Sequence, residues 1–270
     1  MKLCRRLSFV VVLFVSSYVA GQESLSLRQA VDFAFEHSPA IRAAKHRVGA
    51  AAGFRHQAGA WTNPRLLVQS ENIRGSNFDF ANDSDTYVTL SQMLELPGKR
   101  SARVDIAQAG YRRAELIEQL VRREVRQKVK NAYWKAVAAE RTRELLNEYI
   151  KGMDSLVAYH EARVREGAMP EADLLRVQLE RERLQIDLTS AALEAQRSVI
   201  DLFREMGSGD IKPIRLTDRL DDLDASPVEI DVEAAIARRQ EVSVAKAGLE
   251  QALANERYQR ATARPDLDFI

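Results

Sequence analysis

The chain has 270 residues, a net charge of +1 and 7% aromatic residues. That length suffices for one or two domains with a real core. Acidic and basic residues alternate along most of the sequence, so no electrostatic footprint for nucleic acid emerges. The single cysteine, Cys4, leaves the rest of the chain without a disulfide or a thiolate metal site.

Residues 1–21 read as an export signal. Lys2, Arg5 and Arg6 form a basic start, Leu7 to Val15 an apolar stretch, and Val19-Ala20-Gly21 a small-residue cleavage region. The apolar run is shorter than the roughly 20 residues a membrane helix needs. A first repeat is expected over 22–206. It opens with a short amphipathic helix, 25–36, with Ser26 as N-cap. His37-Ser38-Pro39 ends it, and an alanine-rich helix, 40–61, follows up to Asn63-Pro64.

Periodicity then switches from helical to alternating. Strands are expected at 65–73 and 86–94, separated by a polar loop from Arg74 to Asp85. In the second strand Tyr87, Thr89, Ser91 and Met93 share one side, and Val88, Leu90, Gln92 and Leu94 the other. This alternation fits an ordinary soluble hairpin. It also fits a transmembrane β-strand of about 9–11 residues.

Pro97-Gly98 starts a helix at 101–166, which turns at Gly167-Ala168-Met169-Pro170 and returns as a helix at 171–206. Steps of four and three from Val125 reach Val129, Ala132, Ala136, Ala139, Leu146, Ile150, Met153, Val157 and Val164, with Arg143 and His160 as the polar exceptions. This is coiled-coil periodicity. The return helix has its own seam from Leu174 through Leu184 and Leu188 to Leu202. Each helix carries a second seam: Trp134, Ala138, Leu145, Tyr149 and Leu156 on one, and Leu175, Leu179, Ile186, Leu193, Ile200 and Phe203 on the other. Two seams require neighbours on both sides, either in a closed ring or inside a bundle. At 1.5 Å per residue the long helix spans roughly 100 Å, which the helix at 40–61 and the return helix nearly match end to end.

A connector is expected over 207–231, with one short strand at Ile214 to Leu216, and helix returns at Val232. Setting Pro265 on Pro64 places Ala44-Lys45 on Ala245-Lys246, Ala51 on Ala252 and Ile41 on Val242. The order of elements repeats too. Residues 232–270 therefore read as the start of a second repeat that is cut short.

The stretches SLRQAVDFAFEHSPAIRAAKHRV, AGAWTNPRLLV and REGAMPEADLLRVQLE, with the duplication, resemble the TolC-like outer-membrane efflux proteins. The run Gln92, Glu95, Gly98, Lys99 and Arg100, after Ser91, resembles the branch serving cobalt–zinc–cadmium pumps. The resemblance implies a mainly α fold with a small β part. In it a long helical hairpin forms part of a trimeric α-barrel, and strand pairs join a shared outer-membrane β-barrel. It implies a homotrimer in outer-membrane lipid, extending into the periplasm and working with a periplasmic adaptor and an inner-membrane pump. It also implies that the turn, with Arg163, Gly167, Pro170, Asp173 and Leu174, meets the adaptor. The function expected is a passive conduit for export, of divalent heavy-metal cations in this branch. A periplasmic adaptor or a structural coiled-coil protein is the alternative.

No Ser/His/Asp arrangement, phosphate loop or catalytic carboxylate pair stands out, and no cofactor is expected. His46 and His56 are ten positions apart, far from the spacing of a helical metal pair.

Overall fold

The computed structural model describes residues 23–71, 85–220 and 231–269. The export signal, residues 72–73 of the expected first strand, the loop up to residue 84 and residues 221–230 of the connector lie outside the described residues. Strand β1 (Glu23–Leu25) precedes helix α1 (Leu27–His37), so the first helix starts two residues later than its apolar pattern suggests. Ser26 forms a capping box: its hydroxyl accepts the Gln29 N–H, and the Gln29 side chain reaches back to the Ser26 N–H. Helix α2 (Pro39–Ala58) begins on its proline, whose missing N–H costs nothing at a helix start. It ends three residues short of Trp61, because Arg100 and Arg103 take carbonyls at its end.

Strands β2 (Arg65–Glu71) and β3 (Asp85–Leu94) pair antiparallel in the register Leu66–Leu90, Val68–Val88 and Ser70–Thr86. One face is the more apolar: Leu66, Val68, Val88 and Leu90 lie there with Ser70 and Thr86 at its end, while Arg65, Gln69, Tyr87, Thr89 and Ser91 lie on the other with Leu67. Helix α3 (Lys99–Arg165) starts two residues earlier than expected and runs 67 residues without interruption, about 100 Å. Helix α4 (Glu171–Met206) returns beside it. Strand β4 (Ile214–Leu216) pairs in parallel with β1, a contact between segments almost 200 residues apart that no local pattern announces. Helix returns at Val232 as a short helix and a longer one, the order repeated from the first half: α5 (Val232–Ala237) and α6 (Gln240–Thr262), with Arg238-Arg239 between them. Strand β5 (Leu267–Phe269) then adds to the free edge of β3.

Long-helix packing follows the length argument. Helix α4 runs antiparallel to the C-terminal half of α3, tied by Lys135–Glu194 at 3.0 Å and Arg181–Asp154 at 3.0 Å. The N-terminal half of α3 is flanked by α2 and by α6, the latter through Arg123–Glu241 at 3.1 Å and Arg113–Gln251 at 3.2 Å. Helices α4 and α2 meet end to end at Gly207, where a Cβ would lie 3.1 Å from the His37 carbonyl and 3.2 Å from Pro39 Cδ.

The core sits at mid-length of α3. Ala30, Val31 and Ala34 of α1 pack on Val125, Val129, Tyr133 and Val137 of α3 and on Leu202 and Met206 of α4. The alanines matter: Ala30 and Ala34 are both fully buried, so α1 approaches α3 with no side chain to spare between them.

The two seams separate cleanly. Each position of the first α3 seam, including Arg143 and His160, is at least partly shielded, as is each of the first α4 seam. Most of the second set is open to solvent: Tyr149 and Ile186 are each 66% exposed, and Leu145, Leu156, Leu175, Leu179, Leu193 and Ile200 are exposed as well. The exceptions lie at the waist: Phe203 is buried where α4 meets the core, and Trp134 and Ala138 are partly shielded, Trp134 packing against that core.

Candidate functional site: the helical tip and the strand-to-helix corner

The two groups of residues singled out by sequence lie at opposite ends of α3. At its C-terminal end the chain reverses through a Schellman turn. The Ala168 N–H donates to the Arg163 carbonyl at 2.9 Å, and the Gly167 N–H to the Val164 carbonyl at 3.0 Å. Gly167 takes φ +72°, a conformation in which a Cβ would be strained. Pro170 caps α4 in an extended conformation, and its carbonyl accepts the Asp173 N–H at 3.1 Å. Asp173 sits in the first turn of α4, where a carboxylate favours the helix dipole, and accepts from Arg176 at 3.2 Å. Leu174 is half-buried in the hairpin seam, whereas the Arg163 side chain is exposed. Together, these residues form a hydrogen-bonded end that carries two charged side chains, Arg163 and Asp173.

At the other end the Gln92–Arg100 run builds a corner. Gln92 Nε2 donates to the Thr62 carbonyl at 2.9 Å, holding β3 against the entry to β2. Gly98 caps α3 with φ +101°. Lys99 is only 5% exposed; its ammonium donates to the Arg264 carbonyl and to Asp266 Oδ1, the latter at 2.7 Å. Arg100 donates from Nε and Nη2 to the Gly59 carbonyl at 2.8 and 2.6 Å, with its guanidinium over the Trp61 ring. The Asp266 carboxyl is held below its ordinary range by the Lys99 hydrogen bond, aided by the Leu96 N–H.

Sequence reading missed Arg103, one turn further along α3. It donates to the Ala58 and Ala60 carbonyls at 3.0 and 3.1 Å and to the Glu95 carboxylate. The hydrogen bond it donates to Glu95 holds the guanidinium of Arg103 above its ordinary value. Its position three residues after Arg100 is the available signal, since both then face the same neighbour. Thus Lys99 fastens the α6–β5 joint, while Arg100 and Arg103 satisfy the open carbonyls at the end of α2.

A third cluster, at the waist, was also not visible in the sequence. The Tyr133 hydroxyl donates to Asp218 Oδ2 at 2.5 Å and lies 3.0 Å from the Leu25 carbonyl, and the same carboxylate oxygen accepts the Leu27 N–H at 2.7 Å. Burial pushes the Tyr133 phenol up to about 12, and the Asp218 contact adds to it. A raised pKa favours the neutral folded form, so this stabilisation is complete below the unfolded pKa of about 10 and lost as pH rises towards about 12. The expected outcome is a fall of about 2–3 kcal/mol in unfolding free energy across that window. It should be absent in Tyr133→Phe; equal alkaline losses in both proteins would refute the assignment.

Residues 30–208 match the family described as outer membrane efflux protein. The chain is 32% identical over 81 residues to the nickel and cobalt resistance protein CnrC of Cupriavidus metallidurans, covering 30% of this chain and 19% of that one. It is 27% identical over 263 residues to protein CyaE of Bordetella pertussis, covering 92% of this chain and 54% of CyaE. The open-state structure of the MtrE outer membrane channel of Neisseria gonorrhoeae superposes with a TM-score of 0.71 at 18% identity, covering 90% of this chain and 56% of that one. The chain thus spans little more than half the length of CyaE and MtrE. With a continuous match over most of its folded part, the chain belongs to the outer membrane efflux protein family and has its place in the outer membrane.

Proposed function

We propose that this protein is the outer-membrane channel of a tripartite efflux system, a homotrimer that conducts divalent heavy-metal cations out of the periplasm. The observation that carries this reading is the uncovered second seam on α3 and α4. Apolar stripes of that length left in water demand helices from outside the hairpin, and a ring of helices supplies them on both sides. The sheet supports the same reading. Its apolar face, Leu66, Val68, Val88 and Leu90 with Leu94, Leu267 and Phe269, suits lipid, while its polar face suits a water-filled lumen. Among the described residues no helix is long and apolar enough to cross a membrane. The name of CnrC, nickel and cobalt resistance, supports metal ions as the cargo.

Within this reading the Schellman turn is the docking end for the periplasmic adaptor, reached through Arg163, Gly167, Pro170, Asp173 and Leu174. The inner-membrane pump selects and energises, and this protein conducts. The test is export in cells. Deletion of the gene should lower tolerance to nickel, cobalt, zinc and cadmium; unchanged tolerance to all four removes the metal assignment. Arg163→Asp combined with Leu174→Asp should weaken adaptor capture by about ten-fold or more while the trimer still forms. Ile186→Glu should do the reverse, breaking the trimer by placing a charge in an apolar interface while hairpin helicity persists. A trimer unaffected by Ile186→Glu would overturn the ring arrangement.

A further inference from the structure

From Pro39 to Ser70 the chain contains no aspartate or glutamate, yet it carries Arg42, Lys45, Arg47, Arg55 and Arg65. This cationic stretch leads into the strand-to-helix corner. There Trp61 is 64% exposed, and the Arg100 guanidinium stands over its ring at 5.3 Å. Two hydrogen bonds to the Gly59 carbonyl fix that guanidinium. They use one N–H of Nε and one of Nη2, so three of its five N–H groups remain. The corner's own carboxylates are engaged elsewhere: Asp266 with Lys99, and Glu95 with Arg103. Asp268 sits in β5 opposite Met93, on the polar face of the sheet.

We infer that this corner binds the phosphate headgroup of anionic phospholipid at the periplasmic boundary of the membrane, with Trp61 as the interfacial anchor and Arg100 as the cation. The inference rests on the outer-membrane reading of the sheet. Three features argue for lipid rather than another occupant. The corner adjoins the apolar sheet face at Leu94 and Leu267, so any membrane around that face ends here. An amphipathic indole is suited to the boundary of a transmembrane barrel, where aromatic residues form a girdle. An arginine held by a main-chain carbonyl and an aromatic face is presented without further ordering, and its remaining N–H fork matches phosphate oxygens.

The test uses the full-length protein in nanodiscs of phosphatidylethanolamine with a minor fraction of phosphatidylglycerol. Lipids retained on the released protein are counted by native mass spectrometry. Retained lipid should be enriched in phosphatidylglycerol, and Arg100→Gln should cut the enrichment about five-fold. Trp61→Leu should lower it while leaving the helical content unchanged. The part of the tryptophan emission that Trp61→Leu removes should be quenched by lipids brominated near the headgroup. Retained lipid matching the bulk ratio, or quenching by aqueous iodide alone in an inserted protein, overturns the headgroup site and leaves the channel reading standing. A protein that fails to enter the bilayer overturns both.

Discussion

Tyr133→Ala is expected to lower the unfolding free energy by about 3–5 kcal/mol, the usual cost of truncating a fully buried aromatic residue. Tyr133 is wholly buried and sits where α1, α3 and α4 converge, so the vacated volume is walled by Val129, Val137 and Leu202. Collapse into that space is restricted, because α1 already packs through Ala30 and Ala34. The hydroxyl adds a separate contribution. Without it Asp218 Oδ2 loses one of two donors, and Tyr133→Phe should cost about 1–2 kcal/mol. Urea denaturation followed by far-ultraviolet circular dichroism measures both. A Tyr133→Ala loss no larger than that of Tyr133→Phe would mean that the ring contributes little and that the waist is not the core.

Gly207→Val carries the second large effect, about 2–4 kcal/mol, from two causes that add. Gly207 has φ +77° and closes a Schellman turn, with its N–H on the Arg204 carbonyl at 3.0 Å and the Ser208 N–H on the Phe203 carbonyl at 3.0 Å. Any side chain is strained there. It would also meet the Ser38 and Pro39 atoms across the α4–α2 joint, at 3.1 and 3.2 Å. Gly207→Ala should lie between wild type and Gly207→Val. Gly53→Ala provides the contrast: that glycine is inside α2 with nothing within 4 Å of a new Cβ, so alanine should stabilise by about 0.5–1 kcal/mol. If Gly207→Val and Gly53→Ala shift the denaturation midpoint alike, the end-to-end joint does not constrain the fold.

Much of the architecture was legible because helical hairpins obey local rules. The stepping of four and three from Val125 identified the shielded seam of α3, and Gly167 with Pro170 located the reversal. The alternation of Thr86–Leu94 gave a strand whose more apolar face the pairing register then identified. Helix ends were less legible where another segment satisfies them. Helix α2 stops at Ala58 because guanidiniums of α3 reach its carbonyls, an interaction more than 40 positions away in sequence.

The candidate sites divide the same way. The tip is local, and its five residues form one turn as the sequence suggests. In the Gln92–Arg100 run, the residue types were visible but their purpose was not. Lys99 is a fastener because Asp266 and the Arg264 carbonyl arrive from the other side of α3. Arg103 and the Tyr133–Asp218 cluster were overlooked for the same reason, since their partners come from distant segments.

The sequence by itself determined the long hairpin, its turn, the doubled apolar seams and the alternating strands. Each of these depends on periodicity within one helix or strand. Only the tertiary structure decided which seam is covered within the chain, how β1 finds β4, and what the corner arginines hold. Those outcomes depend on contacts between segments far apart in sequence, where geometry selects the partner and composition does not. The open seam of Tyr149 and Ile186 marks the boundary between the two: its apolarity is written in the sequence, but its lack of a neighbour appears only once the hairpin has folded.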